Sequence, residues 1–299
     1  MSNKKQKILV VVGPTASGKT RLSISLAKKF NGEIISADSR QVYKGLNIGT
    51  EKASNKEMQG IPHHLIDVCD PSDTFTVRDF KKHAKDAIRE IASHSKLPIV
   101  TGGSGFYIDA LLYKIDFPEV LPNKSLRKEL EHKSKDELFT VLEEKDPERA
   151  KTIDPHNKRR LIRALEIIEK LGSVPEIGVR EGVYDTLIIG IKTSDHKLKE
   201  KIEERFGETM EKGLINEIML LRNNGISDER INEFGLEYRV GLEFLNDDIS
   251  EVDMRERIIG ELWKYVKRQK TWFKRNKDIL WFEIDNIEEI EKEINNFLN

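Results

Sequence analysis

Short apolar runs and stretches of helical spacing follow one another along much of the chain. The runs at residues 8–12, 97–100 and 184–191 predict buried strands, because consecutive apolar residues suit a strand covered on both faces. Residues 76–93 instead carry apolar side chains at every third or fourth position, which predicts an amphipathic helix. Strands that alternate with helices in this way indicate an α/β fold with a parallel sheet.

The pattern changes after about Pro118. Residues 123–181 are dense in charge, show helical spacing and contain no obvious strand. This composition indicates an all-helical module inserted into the α/β core. We therefore expect a catalytic core formed by residues 1–120 and 184–299, with helices at its C-terminal end, and a helical insertion at residues 121–183.

A glycine-bracketed segment follows the first strand and leads into a helical pattern. A strand, such a loop and a helix, in this order, are typical of a phosphate-binding loop (P-loop). Glycines allow a tight turn that points backbone N–H groups at an anion, a lysine adds charge, and a threonine hydroxyl can bind Mg²⁺. The predicted diphosphate-binding residues are Gly13, Pro14, Thr15, Ala16, Ser17, Gly18, Lys19 and Thr20. A bound nucleotide such as ATP is the default expectation, but any diphosphate would fit.

Two further segments follow strands that should end at the ligand edge of the same sheet. Residues 33–38 predict a strand that ends at Asp38, beside the P-loop. A carboxylate there could hold Mg²⁺ through water, act as a base toward an acceptor, or only cap a turn. Residues 102–105, Gly-Gly-Ser-Gly, offer a second wall of the site. The predicted fold class is thus α/β: a P-loop three-layer core with a parallel sheet, plus an inserted all-helical module.

Two clusters of cations stand out from the surrounding sequence. Residues 158–163 contain four cations in six positions. Residues 264–277 contain seven cations and no acid, and Tyr265, Trp272 and Phe273 are interleaved with them. Cations beside aromatic rings are typical of a nucleic-acid-binding patch. Ordinary solvated charge is the alternative for the first cluster, and lysines that extend over the core are the alternative for the second.

Composition limits the remaining possibilities. The 299 residues carry a formal net charge of −1, so a nucleic acid would have to be held by local patches. A single cysteine, Cys69, excludes internal disulfides and a cysteine-built metal site, and it fits a reducing compartment. No apolar run approaches the roughly 20 residues that span a bilayer, and no signal-peptide core precedes the first strand. We expect a cytoplasmic protein without a membrane partner, acting as a monomer.

Six motifs occur in one order along nearly the whole chain. Together they closely resemble those of the tRNA dimethylallyltransferases, also called tRNA isopentenyltransferases. The motifs are Gly-Pro-Thr-Ala-Ser-Gly-Lys-Thr at 13–20, Ser-Ala-Asp-Ser-Arg-Gln-Val-Tyr at 36–43, Gly-Ile-Pro-His-His-Leu-Ile-Asp at 60–67, Gly-Gly-Ser-Gly-Phe-Tyr at 102–107, Arg-Arg-Leu-Ile-Arg-Ala-Leu-Glu at 159–166 and Lys-Arg-Gln-Lys-Thr-Trp-Phe at 267–273.

The resemblance implies a reaction. In that family the dimethylallyl group passes from dimethylallyl diphosphate to N6 of the adenosine at tRNA position 37, and diphosphate is released. It implies that Asp38 is the general base, that Thr15 and Arg205 take part in catalysis with Arg205 on the diphosphate, and that Mg²⁺ binds near Thr20. The inserted helices would grip the anticodon stem-loop, and the target base would be flipped out.

The resemblance also implies a set of tRNA contacts. The implied tRNA-binding residues are Asp38, Ser39, Arg40, Gln41, Ser104, Arg127, Arg159, Arg160, Leu161, Ile162, Arg163, Lys267, Arg268 and Gln269. Family members commonly have threonine at the position of Ser104 and an arginine at that of Trp263, and their Gly-Tyr segment differs from residues 234–239 here. These differences concern contacts with tRNA rather than the reaction.

Three other functions stay open on the sequence. A small-molecule or nucleotide kinase would explain the P-loop and Asp38, but not the two cation clusters. A non-catalytic RNA-binding P-loop protein would leave Asp38 without a purpose. Prenyl transfer to free adenine nucleotide would not need the inserted helices.

Overall fold

One six-stranded sheet forms the centre of the computed structural model, which describes residues 5–115, 117–175 and 181–299. Every pairing in this sheet is parallel, and the strand order is β3-β2-β4-β1-β5-β6. The α/β class predicted from the sequence is confirmed. The strands are β1 (Lys7–Val12), β2 (Gly32–Ser36), β3 (His63–His64), β4 (Leu97–Gly102), β5 (Asp185–Lys192) and β6 (Ile279–Glu283).

Helices follow most of the strands and fill the second half of the chain. Among the described residues none of them has the length and apolarity needed to cross a membrane. The helices are α1 (Lys19–Lys29), α2 (Asn55–Met58), α3 (Val77–Ser93), α4 (Gly105–Leu112), α5 (Lys124–Glu131), α6 (Lys135–Lys145), α7 (Pro147–Ala150), α8 (Lys158–Leu171), α9 (Asp195–Glu211), α10 (Leu214–Asn223), α11 (Asp228–Glu233), α12 (Leu236–Leu245), α13 (Glu251–Phe273) and α14 (Ile287–Leu298).

Alternating side chains of the central strand pack on the two faces of the sheet. Val10 and Val12 belong to the core cluster that includes residues of α3 and α4. Leu9 and Val11 belong to the cluster that includes residues of α1 and α14. Because successive side chains of a strand point to opposite faces, β1 is covered on both sides and is apolar from Ile8 to Val12.

A further core lies among the helices that follow β5. Side chains of α9, α10, α12 and α13 form one buried cluster, which also takes in Val42, Tyr43 and Leu46. These three residues belong to the segment after β2, so the segment that carries Asp38 is fastened to the C-terminal helices by apolar burial. The sequence did not predict this attachment.

The residues described between Lys114 and Glu181 form a compact unit of their own. Helices α5–α8 surround a core that contains Leu138, Leu142, Leu161 and Leu165. The residues up to Tyr113 and those from Gly182 form the other unit. The predicted boundaries were at 120/121 and 183/184. The first lies earlier in the structure because the segment before α5 is tied to the helical unit, where Arg163 Nη2 donates to the Val120 carbonyl at 2.8 Å.

Strand β2 ends at Ser36, two residues before the predicted end at Asp38. The carboxylate of Asp38 accepts hydrogen bonds from the backbone N–H groups of Arg40 and Gln41, which turns the chain away from the sheet. The neighbouring strand end is packed tightly against this turn. A Cβ built on Gly102 would lie 2.2 Å from the carbonyl oxygen of Ala37, so β4 can end here only with glycine.

The substitution Gly102→Ala tests this close approach. The added methyl group meets backbone that cannot rotate away, so we expect the free energy of unfolding to fall by about 1–3 kcal/mol, as for overpacked cores. Gly260→Ala is the matched control, since a Cβ at this exposed position of α13 meets nothing within 4 Å. Helix propensity predicts a gain of about 1 kcal/mol there. Chemical denaturation measures both, and an unchanged stability of Gly102→Ala would contradict the close packing.

Candidate active site

The loop between β1 and α1, residues 13–18, is shaped to present its backbone N–H groups to an anion. Ala16 and Gly18 have positive φ angles of 63° and 87°, and Gly18 directly precedes the first turn of α1. Residues in this left-handed region turn successive amides toward one side, and the helix N-terminus adds partial positive charge. The hydroxyl of Ser17 is buried and has no hydrogen-bond partner among the described residues. A bound phosphate oxygen would supply one.

Lys19 supplies the charge of this loop. Its Nζ donates to the carbonyl of Pro14 at 2.8 Å. Burial lowers the pKa of Lys19 to about 8, against the opposing attraction of the carboxylates of Asp38 and Glu51. Thr20, by contrast, is exposed. Lys19 therefore loses its proton at a lower pH than an exposed lysine does.

Arg205 lies between the carboxylates of Glu51 and Glu237. Its Nε is 2.7 Å from Glu51 Oε1 and its Nη2 is 3.2 Å from Glu237 Oε1. Burial raises the pKa of Glu237, while the charge of Arg205 opposes that rise. The charge of Arg205 also contributes to the lowered pKa of Lys19. The structure thus brings the predicted residues Lys19, Asp38 and Arg205 into one charged cluster and adds two acids that the sequence did not suggest.

A buried acid of α10 fixes the segment that carries Glu51. Glu217 accepts hydrogen bonds from the backbone N–H groups of Asn47 and Ile48, both at 2.8 Å, and of Gly49 at 3.1 Å. It also accepts one from the hydroxyl of Tyr238 at 2.6 Å. Four donors satisfy a carboxylate that would otherwise be costly to bury. No sequence signal marks Glu217, because three of its four partners lie about 170 residues away.

Gln269 of α13 joins the two glycine loops. Its Oε1 accepts from the backbone N–H of Thr15 at 2.9 Å, and its Nε2 donates to the carbonyl of Gly103 at 3.0 Å. The residue is only 4% exposed. The resemblance implied that Gln269 binds tRNA; in the structure both ends of its amide are bonded inside the protein. Gln269 holds Thr15 and the second glycine loop in place.

Tyr265 lies one turn before Gln269 and completes the wall beside Asp38. Burial raises the pKa of Tyr265 to about 12; the charge of Asp38 adds to the rise, and a hydrogen bond with Ser104 opposes it. The next two cations of α13 are exposed and lie over aromatic rings. Lys267 is 5.5 Å from the centre of the Trp263 ring, and Arg268 is 5.6 Å from that of Tyr265. The predicted alternation of cations and rings is therefore present on this helix.

The cation cluster of α8 divides into two groups. Arg159 and Arg160 are exposed and lie in the first turn of α8, which the side chain of Asn157 caps. Leu161 and Ile162 are buried in the core of the helical unit, so their side chains cannot make the tRNA contacts that the sequence implied. Helical spacing explains the division, because consecutive residues of a helix point about 100° apart.

Two of the implied tRNA-binding arginines have an internal partner. Arg127 binds Glu166 through Nε and Nη2, both at 2.9 Å, and Arg163 pairs with the same carboxylate. Burial would raise the pKa of Glu166, but the hydrogen bonds from the arginines outweigh burial and lower it. Removal of either arginine would leave a buried charge short of a partner, so these residues support the fold of the helical unit.

Thr20 was predicted to bind a metal ion. Among the described residues no three or more His, Cys, Asp or Glu side chains are grouped so as to hold a metal. The hydroxyl of Thr20 is exposed at the first turn of α1. Its binding of Mg²⁺ stays a prediction.

A family model described as IPP transferase matches residues 41–276. The tRNA dimethylallyltransferase of Bacillus subtilis is 39% identical over 297 residues, which cover 95% of this chain and 93% of the relative. The chain belongs to the IPP transferase family. Another relative, the tRNA dimethylallyltransferase of Anoxybacillus flavithermus, is 38% identical over 98% of this chain and 96% of its own length. Enzymes of this family need a divalent metal in general.

Solved structures agree with this family. The full-length tRNA isopentenylpyrophosphate transferase of Bacillus halodurans is similar with a TM-score of 0.75 and 36% identity, over 98% of this chain and 97% of the other. A eukaryotic dimethylallyltransferase described as acting on tRNA gives a TM-score of 0.80 and 29% identity, over 98% of this chain and 79% of the other. The family resemblance found in the sequence is confirmed.

The lowered pKa of Lys19 gives a pH-dependent prediction. Below about pH 8 Lys19 keeps its proton, so the affinity for inorganic diphosphate should be highest there and should fall as the pH rises through 8. Lys19→Met should bind about tenfold more weakly below pH 8, as expected for the loss of a charged hydrogen bond, and should approach the wild type above it. Calorimetric titration without divalent metal measures this difference.

The titration of diphosphate itself is common to both proteins and cancels in the comparison. Lys28→Met, at the exposed far end of α1, should keep the wild-type profile. If Lys19→Met retained the same step near pH 8, then Lys19 would not be the group that titrates.

Proposed function

We propose that this protein transfers the dimethylallyl group from dimethylallyl diphosphate to N6 of the adenosine at tRNA position 37, releasing diphosphate. One observation supports this proposal most directly. The carboxylate of Asp38 lies within electrostatic reach of Lys19, whose loop is shaped for an anion. A base beside an anion cradle is what a transfer from a diphosphate to an amine requires. The names of the relatives support a dimethylallyl group as the group transferred and tRNA as its acceptor.

The leaving group gathers negative charge as its bond to the allylic carbon breaks. Lys19, Arg205 and the amides of the β1–α1 loop would stabilise that charge, and they are in place before the reaction. Arg205 approaches the site with its guanidinium held by Glu51 and Glu237, so its orientation is fixed. The backbone N–H of Thr15 is fixed by Gln269 in the same way. Mg²⁺ near Thr20 would neutralise further charge on the phosphate oxygens.

The adenine amine is a weak nucleophile. Asp38 would accept a hydrogen bond from N6, orient the nitrogen toward the allylic carbon, and take one proton as the N–C bond forms and the C–O bond breaks. Its turn suits this task, because the N–H groups of Arg40 and Gln41 both bond to the same oxygen, Oδ1. The carboxylate is thereby held in one orientation.

The tRNA contacts follow the exposed cations. We propose that Ser39, Arg40, Gln41 and Ser104 line the path of the flipped adenosine, and that Lys267 and Arg268 bind the adjoining loop. On the helical unit, Arg159 and Arg160 would bind phosphates of the anticodon stem. Arg127, Leu161, Ile162, Arg163 and Gln269 shape these surfaces from within rather than contact the RNA.

All the groups that this reaction needs come from one chain, so we expect a monomer. Its single thiol, Cys69, is free, which suits the cytoplasm that we propose as the location. The open alternatives have distinct signatures. A kinase would turn over ATP, and a nucleotide prenyltransferase would label AMP instead of tRNA.

The first test is the transfer of label from radioactive dimethylallyl diphosphate, with Mg²⁺, to unmodified tRNA and to AMP in parallel. Asp38→Asn should reduce the rate of transfer to tRNA by about 10²- to 10⁴-fold, the contribution of a general base, while the affinity for tRNA changes little. Asp70→Asn is the matched control, because Asp70 also accepts backbone N–H in a turn but is remote from the loop. Equal loss of transfer and binding in Asp38→Asn would refute the assigned role.

The exposed cations of α8 are tested through salt dependence. Arg160→Ala should weaken tRNA binding and reduce the slope of log K against log salt by about one, the value for one lost phosphate contact. Lys170→Ala, an exposed cation near the end of the same helix, should leave the slope unchanged. Titrations at several salt concentrations distinguish the two. An unaltered slope in Arg160→Ala would contradict a phosphate contact and would mean that Arg160 is an ordinary solvated surface charge.

A further inference from the structure

An aromatic ring stands exposed beside the proposed acceptor site. Phe106, in the first turn of α4, is 44% exposed although it is a large apolar side chain. Its ring meets Trp272 edge to face, with ring centres 6.3 Å apart and planes at 78°. This ring and the indole beside it form a pair of aromatic groups at the surface, which is a candidate site for a ligand with a π face.

The position of Trp272 is fixed by its neighbour. A Cβ on Gly105 would lie 2.2 Å from Trp272 Cδ1, so the indole rests directly on the backbone at the start of α4. The backbone N–H of the preceding Ser104 donates to the carbonyl of Ala37, the residue before Asp38. The backbone beside the two rings is therefore hydrogen-bonded to the segment that carries Asp38, and all of these residues belong to one compact unit.

Cations accompany these rings along one face of α13. Arg268, Trp272 and Arg275 are spaced four and three residues apart, which places them on one side of the helix. The guanidinium of Arg275 is 5.3 Å from the centre of the Trp272 ring. Alternating rings and planar cations favour an unpaired stretch of nucleic acid. Its bases stack on the rings, and its phosphates pair with the cations. The absence of acids from residues 264–277 favours an anionic partner over a protein.

We propose that Phe106, Trp272 and Arg275 form a stacking platform for the unpaired nucleotide next to the target adenosine. This proposal rests on the proposed function. When the adenosine leaves its stack to reach Asp38, its neighbour loses a stacking partner. The platform replaces that partner with the Phe106 ring, which Trp272 supports edge to face, and it binds the adjoining phosphate with Arg275. Recognition of this kind tolerates any base, because each base has a π face.

A double-mutant cycle between protein and RNA tests the platform. The RNA probes are an anticodon stem-loop and two versions of it, with an abasic nucleotide immediately 5′ or immediately 3′ of the target adenosine. With the complete RNA, Phe106→Ala should weaken binding about tenfold, within the range for one base–aromatic stack. With one of the two abasic RNAs, the same substitution should change the affinity less than about twofold. Fluorescence anisotropy gives all the dissociation constants.

Three further variants separate stacking from general damage. Phe106→Tyr should restore binding, whereas Phe106→Leu, which keeps the apolar surface but not the ring, should not. Leu220→Ala, which truncates a 61% exposed apolar side chain of α10, should bind like the wild type on every RNA. Equal losses in Phe106→Ala on all three RNAs, or no loss on any, would overturn the platform. Failure of the wild type to prenylate the complete stem-loop would instead overturn the proposed function, so the two failures are distinguishable.

Discussion

The buried amide of Gln269 is the contact on which the site most depends. One side chain of α13 accepts from the loop after β1 and donates to the loop after β4, two segments that are adjacent only because their strands are parallel neighbours. A Cβ on Gly103 would lie 2.2 Å from its nitrogen, so a side chain at position 103 would have to displace this amide. The C-terminal helices are therefore part of the anion site, although they lie about 250 residues further along the chain.

Charge is arranged around this frame in compensating pairs. Arg205 is shared by Glu51 and Glu237, while Glu51 belongs to a segment that Glu217 holds by three backbone amides. Because every buried carboxylate here has a partner, the cluster avoids the cost of isolated buried charge. The two carboxylates also fix the direction in which the guanidinium of Arg205 points. Lys19 differs, since burial leaves its protonation adjustable near pH 8.

The helical unit uses its cations in two ways. The buried Glu166 pairs with Arg127 and Arg163, whose side chains stay partly exposed, and this cluster also attaches Val120 and Asn123 ahead of α5. The cations left outside, Arg159 and Arg160, lie at the N-terminal turn of α8. The arginines of α8 thus fall into two groups. Arg163 pairs with Glu166, whereas Arg159 and Arg160 form a candidate RNA surface, because successive residues of a helix point in different directions.

The features of this protein that depend on local pattern could be predicted from the sequence. The parallel α/β core, the helical insertion, the loop at residues 13–20 and the family follow from periodicity, turn residues and motif order, each of which is written in consecutive positions. The structure shows contacts that the motifs did not: the amide of Gln269 joins two loops, Leu161 is buried, and Arg163 pairs with Glu166. It also introduced Glu51, Glu217 and Glu237, and it paired β6 with β5. Their partners are distant in sequence, and whether a polar side chain faces solvent or a buried carboxylate depends on packing that no local pattern encodes.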